Sequence, residues 1–113
     1  MRKSAFISTL GCAWIALACS QGNDSGATTD LAARGKHYYQ NVCIACHSAD
    51  PSQNGTLGPA LAGSSQALLE AKVIHGKYPP GYSPKRATQA MPTFAFLAPE
   101  IPALAAYLAN GKP

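Results

Sequence analysis

The chain has 113 residues, enough for one small domain and too few for a two-domain enzyme. Charged residues make up 12% and apolar residues 47%, with ten glycines and nine prolines, which excludes an acidic disordered tail and a coiled coil and points to a compact, loop-rich unit. The formal charge is +4, and sulfur and imidazole are scarce: four Cys, three His and two Met, with Met91 the sole internal thioether.

At the N-terminus, Arg2 and Lys3 precede an apolar run over residues 5–18 that closes on Ala16-Leu17-Ala18, the pattern of an export signal cut before Cys19. The run has fourteen residues, short of the roughly 20 that a membrane-crossing helix needs. Residues 1–18 are therefore expected to be removed, taking Cys12 with them. Cys19 resembles the acceptor cysteine of bacterial lipoproteins: Ala18 fits their apolar-small-small-Cys box, although Ala16 stands where that family usually has leucine. Lipid attachment and simple secretion cut the same bond. Both place the domain outside the cytoplasm, in the periplasm or held at a membrane through Cys19, where two acyl chains would anchor it stably. Loss of Arg2 and Lys3 leaves seven cations against five acids, a net +2. That is too little for a nucleic-acid partner, which requires a basic stripe facing several phosphates.

Residues 20–29 are all polar or Gly except Ala27, so residues 19–29 are read as a flexible tether. Ten such residues reach about 17 Å as a coil. Residues 30–113 form the domain. No strand alternation with hairpin punctuation appears, so an all-α fold with three main helices is expected. The first helix starts at Asp30 as N-cap and carries Leu31, Ala32, Gly35, Tyr38, Tyr39 and Val42 at helical spacings as far as Cys43. Gly35 in mid-helix costs about 1 kcal/mol against Ala, which predicts a close helix crossing there, with Tyr107 as its partner ring. The second helix spans residues 66–75, after Ser64-Ser65 as caps and before Gly76 as a stop. The third opens near Pro99-Glu100, holds Pro102 in its first turn, and ends at Asn110-Gly111. Between the helices lie two long Pro/Gly segments, residues 48–63 and 76–97. Loops of that length need something packed beneath them, and a large apolar cofactor would serve.

Cys43-Ile44-Ala45-Cys46-His47 is the C-x-x-C-H signature of covalent haem attachment. Residues three apart share a helical face, so both sulfurs can form thioethers to neighbouring vinyl groups while His47 presents its imidazole to iron. A thioredoxin-type dithiol would call for a βαβ context, and a zinc site for two further ligands at matching spacing.

From this point the chain resembles the class I cytochromes c over nearly all of residues 30–113. Gly35, Tyr39 and Cys43 match the family's G-x-x-x-aromatic-x-x-x-C opening. Gly58-Pro59-Ala60-Leu61-Ala62-Gly63 matches its G-P-x-L-x-G loop, and Met91-Pro92-Thr93-Phe94 looks like its M-P-x-F segment. Residues 100–108 are similar to its closing helix. The resemblance implies one haem c held by Cys43 and Cys46, iron ligated by His47 and Met91, and a Pro59 carbonyl that accepts Nδ1–H of His47. It also implies a low-spin centre of positive potential, since Met/His ligation raises the potential of cytochromes c. Met91 as mere core filling is the alternative. His37 and His75 are competing ligands: the first lies awkwardly close to Cys43, the second at a helix C-terminus that suits a surface imidazolium.

The expected function is a monomeric one-electron carrier between respiratory redox partner proteins, with no enzymatic bond-making. An electron-accepting subunit of a dehydrogenase or oxidase complex is the alternative; a haem peroxidase or gas sensor ranks last. Lys72, Lys77, Lys85 and Arg86 are candidates for a docking patch, and Tyr82 with Arg86 for contacts to a haem propionate.

Overall fold

A computed structural model describes residues 24–111 of the chain. The expected export signal, Cys19 with the lipid expected on it, and the start of the expected tether lie outside the described residues.

Helix α1 runs Asp24–Val42, so the expected start at Asp30 is corrected by six residues, and the helix takes up residues 24–29 of the presumed flexible tether. Once a helix is nucleated, each added residue gains a hydrogen bond, so a polar segment can extend it without burying anything. Residues 26–31 are indeed all exposed. Their composition reported the absence of burial, not the absence of a helix. After Val42 the chain tightens into a 3₁₀ turn, Cys43–Ala45.

Helix α2, Gln66–Leu69, begins under the Ser65 side chain, whose Oγ accepts from the Leu68 amide at 3.2 Å. It continues as a π-helical turn, Glu70–Ile74, and ends before Gly76, whose φ of +66° a side chain would strain. The widened turn redirects two backbone groups. The Lys77 amide reaches back to the Ala71 carbonyl at 2.9 Å, and the Val73 carbonyl accepts instead from Phe94 at 2.7 Å. A 3₁₀ turn, Ala95–Glu100, leads into helix α3, Ile101–Asn110, which carries Pro102 in its first turn and stops at Gly111 with φ +56°. The described residues contain no strand, and the architecture is all-α.

Helices α1 and α3 make the most extensive contact of the fold. A Cβ at Gly35 would overlap the Ala103 carbonyl, so the crossing predicted from that glycine is real but its partner is backbone, not the Tyr107 ring. Tyr107 packs on Tyr39 one turn further along, ring centroids 5.4 Å apart. Tyr39 is fully buried, and its hydroxyl donates to the Ser48 carbonyl at 2.6 Å. Beside Gly35, exposed Arg34 pairs with buried Glu100 at 2.5 Å. Leu97, Leu104 and Leu108 complete the core with Leu69 and Val73 from the second helix.

The two long connections are irregular but well bonded. In the first, the Pro51 carbonyl accepts from Leu61 and Ala62 at 2.8 and 2.9 Å, and the Gly63 amide reaches Leu108 at 2.8 Å. In the second, the Tyr82 amide donates to the Pro79 carbonyl at 3.1 Å across Gly81 at φ +77°, the pattern of a type II turn.

Candidate functional site

The helices and loops enclose a mainly apolar cavity of about 350 Å³. Cys43, Cys46, His47, Pro59 and Met91 all lie on its wall. The thioether therefore comes from the connection after α2, and the imidazole from the turn after α1.

The 3₁₀ turn builds the first part of the site. The Cys43 carbonyl accepts from both Cys46 and His47, at 3.2 and 2.9 Å, which folds the three functional residues around one backbone atom. The Cys46 carbonyl then accepts from Leu57 and Gly58 at 3.2 and 2.9 Å, drawing the next loop over the His47 ring. A Cβ at Gly58 would strike that ring, so only glycine lets the loop lie flat on the imidazole. One residue on, the Pro59 carbonyl stands 2.8 Å from His47 Nδ1. A carbonyl only accepts, so Nδ1 carries the proton and Nε2 keeps its lone pair. Burial lowers the His47 pKa, the Pro59 bond opposes this, and the nearby Arg86 charge adds to the lowering. The neutral imidazole is the form a metal requires.

Cys43 and Cys46 form no disulfide, and both are half-buried. Burial pushes the Cys43 thiol up to about 11, so it remains protonated. Among the described residues no three His, Cys, Asp or Glu side chains converge so as to hold an ion by themselves. Two thiols and one imidazole on the wall of an apolar cavity instead suit a flat organic macrocycle that brings its own metal. The residues present fit haem c: Cys43 and Cys46 for its vinyl groups, His47 and Met91 for the two faces of its iron.

The other two histidines lie elsewhere. His37 is exposed on α1, where its Nδ1 and its carbonyl both meet the Asn41 side chain. His75 is exposed at the end of the π-helical turn. Neither lines the cavity.

The cations expected to form a docking patch divide. Lys77 is exposed and off the wall. Lys72 holds its ammonium 4.4 Å from the Tyr78 ring centre and donates to Gln89 at 3.2 Å. Tyr82 stacks on Tyr78 with centroids 5.3 Å apart. Lys85 donates to the Ala60 carbonyl at 2.7 Å, and Arg86 to those of Leu57 and Gly55 at 3.1 and 3.4 Å. Sequence reasoning missed this last arrangement. No local pattern marks it, because the acceptors are backbone atoms 25 to 31 residues away.

Among protein families, the model described as Cytochrome c matches residues 32–112. No curated protein matches the chain.

Proposed function

The chain belongs to the cytochrome c family and carries covalently attached haem c for electron transfer rather than enzymatic catalysis; from that premise we propose a single-haem carrier with His47 and Met91 as axial ligands, exported and moving single electrons between respiratory partner proteins. The observation that carries the reading is the shared wall: both thiols, an imidazole with Nδ1 engaged and the only internal thioether border one apolar cavity.

When bound, haem supplies an iron that accepts and returns one electron. The protein's residues set the conditions for that exchange. Pro59 holds the His47 tautomer, so the ring keeps its orientation and its Nε2 lone pair is the one left for a metal. Met91 offers a soft sulfur that favours the ferrous state and raises the potential. The apolar wall of Leu69, Val73, Leu97 and Leu104 keeps water from the centre, which limits solvent rearrangement as its charge changes. Gly58 and the 3₁₀ turn fix the place of the imidazole.

Among the described residues no helix is long and apolar enough to cross a membrane. Export and attachment through Cys19 are part of the proposal and rest on the N-terminal sequence. The visible spectrum of the ferric protein tests the ligation. A sulfur-to-iron charge-transfer band is expected in the native protein and absent from Met91→Ala; a bis-histidine spectrum, or a band that survives Met91→Ala, would overturn it.

A further inference from the structure

The segment that leads to Met91 does more than span a gap. Lys85 and Arg86, six and five residues before Met91, both line the cavity and both reach across to the opposite loop. Their acceptors are the carbonyls of Gly55, Leu57 and Ala60. Those carbonyls bracket Gly58 and Pro59, the two residues that seat the His47 ring from below and at Nδ1. One short stretch of backbone thus carries Met91 at one end and grips the His47 support at the other.

The chemistry of the grip is also unusual. The ion pair found among the described residues is Arg34 with Glu100, which involves neither Lys85 nor Arg86. Arg86 donates to carbonyl dipoles and pairs with no carboxylate side chain among the described residues, so it brings a positive charge to the cavity wall. A cation there opposes the added positive charge of an oxidised centre and favours the reduced one.

We propose that Arg86 is a positioning residue that joins the two axial sides of the site, clamping the Met91 strap to the loop that orients His47, and that its positive charge holds the reduction potential up. The inference rests on His47 and Met91 being the axial ligands. Its two parts separate by substitution. Arg86→Lys keeps the charge but loses the planar fork that spans two carbonyls at once, whereas Arg86→Gln loses both.

The test uses the haem-loaded protein with two readouts: the midpoint potential, and the temperature at which the charge-transfer band vanishes relative to the melting of the helices. At an ambient potential equal to the native midpoint, Arg86→Gln should be reduced to less than one half, while Arg86→Lys stays near the native value. In both variants the band should vanish well before the helices melt. Native-like potential and band in Arg86→Gln would overturn the proposal; if that variant does not accumulate, an unchanged band temperature in Arg86→Lys overturns the clamp. Met91→Ala run alongside separates the two levels. A band that persists there defeats the axial assignment, whereas loss there with unaltered Arg86 variants defeats the clamp alone.

Discussion

The crossing of α1 with α3 and the strap between α2 and the 3₁₀ turn hold their places by different physics. At the crossing, backbone meets backbone at Gly35 and Ala103, and the buried rings of Tyr39 and Tyr107 pack on each other. The strap buries little: of residues 83–93, only Arg86 and Met91 are not exposed. It is held instead by discrete polar ties, namely Phe94 to Val73, Lys72 to Gln89, and the Lys85 and Arg86 grips. The crossing concentrates cooperative stability, while the strap is a low-stability element that can carry chemistry because its ties are few and separable.

Three substitutions probe that contrast. The largest effect is expected from Gly35→Ala, which drives a methyl into the Ala103 carbonyl that neither helix can move away from alone. A loss of about 3 kcal/mol or more is expected in urea unfolding, with the spectrum of the remaining folded protein unchanged. Equal stability of the variant would mean that the helices can slide, and the crossing would not be the rigid half. Gly76→Ala should cost less, about 1–2 kcal/mol, because φ is +66° and the new methyl meets Thr93 Cγ2 at 3.2 Å. Its signature is the order of events: the charge-transfer band should disappear before helicity does. Simultaneous loss would show that strap and crossing unfold as one unit.

The smallest effect belongs to Tyr39→Phe, which removes the bond to the Ser48 carbonyl and should cost about 1 kcal/mol near neutrality. The same residue gives a pH dependence. Burial foremost pushes its phenol up to about 12 from the usual 10, so the unfolded chain gives up this proton first. The stabilisation is complete below about pH 10 and is lost as pH rises through about 12. Urea midpoints of the native protein should therefore fall more steeply than those of Tyr39→Phe above about pH 10. Parallel slopes would place the alkaline sensitivity elsewhere.

The same contrast explains which features the order of residues reveals. Gly35 announced a crossing because a glycine inside a helix is costly unless something comes close. Cys43, Cys46 and His47 announced their chemistry because their spacing is local and follows from one turn of backbone. Ser65, Pro102 and Gly111 marked helix ends for equally local reasons. The start of α1 was misplaced because a solvated helix and a solvated coil share one composition. The π-helical form of residues 70–74 left no trace either: its use is to spare the Val73 carbonyl for Phe94, twenty-one residues on.

The sequence by itself determined the attachment turn, the all-α class and the one internal thioether, since each depends on residue type and short-range spacing, and the resemblance to a family added the Pro59 contact to His47. Only the tertiary structure decided that Ala103 rather than Tyr107 meets Gly35, that Glu100 is buried against Arg34, and that Arg86 grips Gly55 and Leu57. In each case at least one partner is a backbone carbonyl or a distant chain segment. Every residue has a carbonyl, so no letter in the sequence distinguishes the ones that will be used.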